Sequence, residues 1–337
     1  MNAEPPRLIC LTPVKNEAWI LRQFLAAASR WADQIVVADQ QSDDDSRAIC
    51  EEFPKATLVD NRFPGYDEAA RQALLIETAR DLCPGPRVLL ALDADEALSG
   101  EFLNETVRGR LFGLAPGTVL RFRWANLLPG VGTYHNGPPL PIGFVDDGRS
   151  HVGSTLHSAR VPTGDNCDVW DSGSVRLLHY QLTNEPRMRS KHRWYKCFER
   201  VTYPNKPIAA IEQLYTWMDR VERAPRPCPE SWFAPYEEAG IEMRSVPEED
   251  DFWWDREVLR MFAEHGVDRF RALDIWNFDW EAARRRWAAR GVDGLPDGPI
   301  VSLARRRHAV GHRLLAAARP GRRGRLAQTL ARRLLNS

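Results

Sequence analysis

Residues 89–100 read LLALDADEALSG, an apolar run that stops at three acids, Asp93, Asp95 and Glu96. Two carboxylates one residue apart, at the end of a buried strand, can turn into the same crevice. Hard divalent cations such as Mg²⁺ or Mn²⁺ take oxygen ligands of this kind, together with water and a phosphate. Like charges this close repel, and solvent, a basic partner or a bound cation can each offset the repulsion. A helix start is the plainer alternative, with Ser99 as N-cap and the acids merely solvated. The apolar strand directly before the acids favours the cation.

The elements that must hold these acids alternate between strand and helix patterns. Residues 8–12 and the β-branched QIVVAD of residues 34–39 read as buried strands, with helical apolar spacing over 17–31 between them. A helix over about 43–53 with Ser42 as N-cap, a strand over 56–60, a helix over 68–82 and a strand over 87–93 follow. This alternation predicts a parallel sheet covered on both faces, with ligands bound beyond the carboxyl ends of its strands. Asp39, Asp60 and Asp93 all fall at such ends. After a strand over 119–125, residues 128–173 are rich in Gly, Pro and Asp and read as loops and short strands. A strand over 175–182 and helices over 187–201 and 208–221 come next. The Pro-rich APRPCPESWFAP of residues 224–235 is the best domain boundary, and Trp253, Trp254, Trp276, Trp280 and Trp287 beyond it read as the core of a small helical region. The expected division is 1–223, 224–300 and a basic tail, 301–337.

The chain of 337 residues is 43% hydrophobic and 27% charged, which fits a folded globular protein. Its six cysteines lie far apart with no CxxC pair, against a zinc site or a disulfide framework. No signal core and no spanning run of about 18 apolar residues is present, so a soluble, cytoplasmic protein is expected. Net charge is zero, but no Asp or Glu follows Asp297, while arginines crowd the tail. The tail's HRLLAAARPGRRGRLAQTLARRLL predicts two short amphipathic helices broken at Pro320, Gly321 and Gly324. Such a segment can lie on the anionic inner face of a membrane or remain a solvated tail. It carries no aromatic platform, so no nucleic-acid partner is expected.

LTPVKNEAWILRQFL, IVVADQQSDDDS, AARQALLIETA and LDADE, in this order over residues 7–100, resemble glycosyltransferase family 2. The resemblance is greatest to a branch of bacterial cell-surface polysaccharide and lipopolysaccharide-core transferases with a D-x-D-E motif. That branch also carries an H-E pair, then an H-Y pair before a basic, aromatic helix. The corresponding residues here are His157-Ser158, His179-Tyr180 and the KHRWYKCFE of 191–199. D-x-D after a buried strand also occurs in haloacid-dehalogenase-like phosphatases. There it sits on the opening strand with Thr or Val two residues beyond the second Asp, where this chain has Ala97.

The resemblance implies a GT-A fold: α/β, with a mostly parallel, Rossmann-like sheet flanked by helices, here with a helical C-terminal extension. It implies a metal-dependent enzyme that moves a sugar from a nucleotide-sugar donor, a UDP- or GDP-sugar, to a glycan or lipid-linked acceptor, with inversion. By the same resemblance Thr12, Pro13 and Glu17 line the nucleotide pocket, Asp39 recognises the base and Arg71 lies near the nucleotide. Asp93 and Asp95 hold Mn²⁺ or Mg²⁺ on the diphosphate, His179 completes that site, and Lys191 and Arg193 add positive charge. The branch's catalytic base is the acid of the H-E pair, and Ser158 stands in its place. Asp146, Asp147, His157 and Glu185 are the substitutes, with Asp147 preferred. A chain without a base would instead be a non-catalytic nucleotide-sugar binder or scaffold on the same fold.

Overall fold

The computed structural model describes residues 5–63, 65–164, 167–215, 224–247, 249, 251–301, 306–318 and 322–336. The chain forms two compact units, one of residues 1–184 with 224–248, the other of 185–223 with 249–337.

The first unit is built on a sheet whose parallel part is organised around β1 (Arg7–Val14). Parallel partners β2 (Gln34–Asp39) and β4 (Arg87–Ala91) flank it, and β3 (Ala56–Asp60) pairs with β2. The crossovers are helices α1 (Ala18–Ser29), α2 (Ser46–Glu51) and α3 (Glu68–Leu82). Strand alternation divides the core between two faces. Leu8, Cys10, Ile35 and Val37 pack toward Leu21, Phe24 and Leu25 of α1, while Ile9, Leu11 and Val36 pack toward Leu75 and Ile76 of α3. Val14, Asp39 and Asp60 stand in register, so the strands end along one edge.

The expected α/β sheet is present, and it continues beyond its parallel half as a mixed sheet. β5 (Glu96–Leu98), β6 (Val119–Leu127), β7 (Thr133–Val145), β8 (Val169–His179) and the short β9 (Arg226–Pro227) complete it. The order is β3-β2-β1-β4-β7-β6-β8-β5, with β9 on β7. The main correction to the sequence reading is β7, a 13-residue strand where loops and short strands were expected. Its prolines hid it, but Pro139 and Pro141 pair with β6 alone, and the ladder to β4 starts only at Gly143. A proline is tolerated where one side of the strand needs no donor, and register shifts in β6 absorb the misfit. Gly143 suits this crowded crossing, where a Cβ would press on Leu90 Cδ2 and stand 3.0 Å from the Leu89 carbonyl.

Two predicted caps are also corrected. Helix α2 starts at Ser46, and Ser42 instead accepts the Asn16 N–H. Ser99 precedes a 3₁₀ turn, Gly100–Leu103, and its Oγ accepts the Arg176 N–H; Asn104 caps the true helix α4 (Glu105–Phe112). The acids of residues 93–96 therefore lead into a strand, not a helix.

The second unit is helical. α5 (Glu185–Thr202) and α6 (Ile208–Tyr215) precede its sequence gap; the predicted continuation to 221 lies outside the described residues. A short α7 (Ala234–Glu237) belongs to the first unit. α8 (Trp253–His265), α9 (Trp280–Ala289), α10 (Arg306–Ala317) and α11 (Arg322–Asn336) complete the second unit. Of the five tryptophans expected in its core, Trp254, Trp280 and Trp287 are buried, and Trp253 and Trp276 are half-buried. Gly324 lies within α11, and Pro320 and Gly321 fall outside the described residues. All six cysteines are free thiols. Among the described residues no helix is long and apolar enough to cross a membrane.

Candidate functional site

β4 ends at Ala91, and residues 93–96 close a tight turn. The Glu96 N–H donates to the Asp93 carbonyl at 3.0 Å, and Glu96 Oε2 accepts the Asp93 N–H at 3.0 Å. Glu96 then opens β5. Pairing of β5 and of β6 with β8 sets Glu96, His179 and Asn126 in one row across three strands. Trp124, two residues before Asn126 and so on the same face, donates its indole N–H to Glu96 Oε1 at 2.7 Å. Its ring lies flat on His179, with centroids 4.7 Å apart.

A residue outside the sequence reading supplies the basic partner of the acids. Arg160 donates to Asp93 Oδ2 at 2.7 Å and to both oxygens of Glu96. Burial by itself would lower the Arg160 pKa, but the charges of Asp93 and Glu96 more than reverse this and hold it well above the ordinary value. Both Glu96 oxygens are thus engaged, and the fourth letter of D-x-D-E acts as a buried clamp between turn, strand and Arg160.

Asp95 and His179 are both more than nine-tenths buried. His179 Nδ1 lies 2.9 Å from Asn126 Oδ1, an atom that only accepts, so Nδ1 carries the proton. In the neutral ring Nε2 then keeps its lone pair, 3.7 Å from Asp95 Oδ2. Two ligands at about 2.1 Å from one octahedral ion lie between about 3 and 4.2 Å apart. This pair therefore fits a divalent cation, with the second ring nitrogen tied down as such ligands require. Arg71, on α3, has a buried Nε without a hydrogen-bond partner among the described residues, and its guanidinium stands 5.3 Å from the Tyr66 ring. Burial lowers its pKa, and Tyr66, Asp93 and Glu68 together raise it beyond that. Four acids, Asp93, Asp95, Glu96 and Glu68, thus stand against two guanidiniums, Arg71 and Arg160, an excess of negative charge for a cation to meet.

Along the same edge, Asp39 is buried and accepts from Arg47 at 2.7 Å, and Arg47 also reaches Asp60 at 2.9 Å. Thr12 and Pro13 lie in β1, the Thr12 hydroxyl buried without a partner among the described residues. Glu17 flanks α1 and accepts the Trp19 indole N–H at 2.7 Å. Asn16, in the left-handed region at φ 54°, exchanges two bonds with Asp43 at 2.7 and 2.8 Å and so ties together the loops after β1 and β2.

Not every expected residue joins this cluster. Asp147 follows β7, whose end pairs with the amino end of β4, about 13 Å of strand from the carboxyl end where the acids lie. It is held by Arg149 at 2.8 Å, which keeps its pKa below the ordinary carboxylate range. Asp146 beside it is bonded to Arg80 and Arg87. His157 takes a left-handed φ of 55° in the loop before Arg160. The next residue, Ser158, donates its N–H to Glu68 Oε2 at 2.9 Å, so a carboxylate does meet the position where the acid is missing. Lys191 and Arg193 lie in the second unit, Lys191 over Trp254 and Arg193 in a bidentate pair with Asp255. Sequence reasoning missed Arg160, Glu68, Trp124 and Asn126. The W-x-N spacing on a strand was the one signal for the last two.

A second group in the other unit, Glu212, Asp274 and His312, has ligand atoms within 4.8 Å of one another. Lys196 Nζ stands 2.8 Å from Glu212 Oε2, so a built-in cation already meets that charge.

Residues 10–109 match the model of the glycosyl transferase family 2, from within β1 into α4. The match includes Asp39, Arg71, Asp93 and Asp95 and supports a glycosyltransferase. No curated relative matches the chain. Among solved structures, S. aureus TarS, residues 1–349, is similar over 97% of this chain and 90% of that one, at 11% identity and a TM-score of 0.37. HddC from Yersinia pseudotuberculosis is 8% identical over 49% of this chain and 90% of its own, with a TM-score of 0.31. A 4-diphosphocytidyl-2C-methyl-D-erythritol synthase is 16% identical over 42% of this chain and 76% of its own, with a TM-score of 0.29. Likeness at this level says nothing about a shared activity.

Proposed function

We propose that the chain is a metal-dependent, inverting glycosyltransferase that moves a sugar from a UDP- or GDP-sugar to a glycan or lipid-linked acceptor of cell-surface polysaccharide biosynthesis. The observation that carries this reading is the Asp95–His179 pair beside Asp93, at the carboxyl edge of a sheet whose first strands match family 2. Asp95, His179 and Asp93 would hold Mn²⁺ or Mg²⁺, which neutralises charge on the leaving diphosphate. Thr12, Pro13, Glu17 and Asp39 take the nucleoside, with Arg47 turning from Asp39 to admit the base. Arg71 and Arg160 offer guanidiniums to the diphosphate, where negative charge accumulates as the sugar leaves.

The acceptor hydroxyl must lose its proton as it attacks the sugar. We assign that proton to Glu68, whose carboxylate meets the Ser158 N–H, in place of Asp147, which lies at the other end of β4. Glu68→Gln should lower kcat by about 10²–10⁴-fold while donor affinity holds. Asp147→Asn should leave turnover within about twofold of the parent, as expected for an acid outside the site.

The deciding experiment measures donor binding by calorimetry and turnover over a panel of UDP- and GDP-sugars, with and without Mn²⁺. Asp95→Ala should abolish metal-dependent binding, and unchanged binding would refute the assignment of the acidic cluster. Ser158 favours one second reading, a binder that kept the fold without its base. Tight donor binding with no transfer or hydrolysis would establish it. The reading places the enzyme in the cytoplasm, where nucleotide sugars are at hand.

A further inference from the structure

The tail helices do not spend their apolar stripes on solvent. Leu315 of α10 and Ala331 and Leu335 of α11 are buried as the two helices pack on each other and on α6. The approach is close: a Cβ at Gly311 would stand 2.8 Å from Leu335 Cγ. The hairpin is therefore a fixed part of the second unit, and its outer faces have a composition of their own.

On α11, Leu326 and Leu330 are one turn apart and 67% and 49% exposed. Arg333 continues their row, and exposed Arg325, Thr329 and Arg332 flank it. On α10, exposed Arg306, Val310 and Arg313 share one side, Val310 at 47%. From residue 298 onward the sequence holds no acid at all. An outward leucine pair inside an arginine arc is costly in water without a partner, because apolar area stays wet and like charges stay close.

We propose that this outer face of the α10–α11 hairpin docks on an anionic lipid bilayer. The charge selects an acidic surface, and the leucines select one with an apolar interior. A polyphosphate backbone would use the arginines and leave Leu326 and Leu330 wet. A second copy of the chain would set arginines against arginines. In the bilayer the guanidiniums meet lipid phosphates while the leucines enter the acyl boundary. This docking is independent of the donor chemistry proposed above.

The test is flotation of the full chain with vesicles of phosphatidylcholine alone and of phosphatidylcholine mixed equally with phosphatidylglycerol. Binding is expected to the mixed vesicles only and to weaken with salt. Arg325→Gln, Arg332→Gln and Arg333→Gln together should reduce it by about a hundredfold, whereas the three Lys replacements should retain it. Leu326→Ser with Leu330→Ser should reduce binding to vesicles but not to heparin, with unchanged circular dichroism as the check on folding. Asp95→Ala should float like the parent, which separates this surface from the donor site. Equal binding to both vesicle types, no binding to either, or vesicle binding indifferent to the leucines would each overturn the proposal. Self-association blocked by the Gln replacements, without flotation, would overturn it in favour of a second copy.

Discussion

Glu96 shows how one side chain can be misjudged from its neighbours. In sequence it looks like a third member of an acidic cluster, yet it is almost fully buried and accepts from Trp124, Arg160 and the Asp93 N–H. Removing it leaves the largely buried Arg160 guanidinium with Asp93 as its remaining ion pair and two N–H donors without an acceptor. Glu96→Ala should therefore cost about 3–5 kcal/mol in urea unfolding, far more than a solvated acid would. A loss below about 1 kcal/mol would mean that the clamp is not in place. Arg160 could not be foreseen because its loop has no periodicity, and only the chain's return past β4 brings it to Asp93.

At the scale of elements, Asp146 fastens α3 to β4 through Arg80 and Arg87, with its own side chain fully buried. Burial would raise its pKa, but the bonds from Arg80, the Gly148 N–H and Arg87 outweigh this and hold it below the ordinary value. A depressed carboxylate stabilises the fold above the unfolded pKa of about 4, and that contribution is lost as pH falls through the folded value. Asp146→Asn should thus be less stable than the parent at neutral pH, by about 3 kcal/mol, with the gap closing in acid. Denaturant titrations at both pH values measure it, and a gap that persists in acid would contradict it. The parallel strands were legible because burial on both faces leaves continuous β-branched runs. β7 was not, because an antiparallel strand with one open side can carry prolines that read as loop.

For the whole molecule, the two units need not share one acid response. His192 in the second unit is buried, and its pKa is lowered to about 3, chiefly by burial and then by Lys196, Lys191 and Arg189. The unfolded chain protonates this ring near pH 6.5, where the folded unit does not. Stability held above pH 6.5 should therefore decline as pH falls toward about 3, by roughly 5 kcal/mol in all. His192→Phe should flatten that decline, as followed by denaturant unfolding at each pH; an unchanged slope would exclude His192 as its source. The basic tail likewise changes meaning at this scale. Its amphipathic pattern predicted two helices that could lie on a membrane, but their apolar stripes close a hairpin within the unit, so any docking surface is the opposite face.

By itself the sequence determined the helix–strand alternation, the carboxyl-end placement of Asp39 and Asp93, and the chemistry an acid pair there could do. These follow from local periodicity and from where apolar runs stop, which neighbouring residues encode. Tertiary structure decided which partner offsets the acids, which histidine nitrogen faces Asp95, and that Asp147 lies at the far end of β4 while Glu68 meets Ser158. Each depends on strand register and on loops returning over tens of residues, where a shift of one position turns a side chain to the other face.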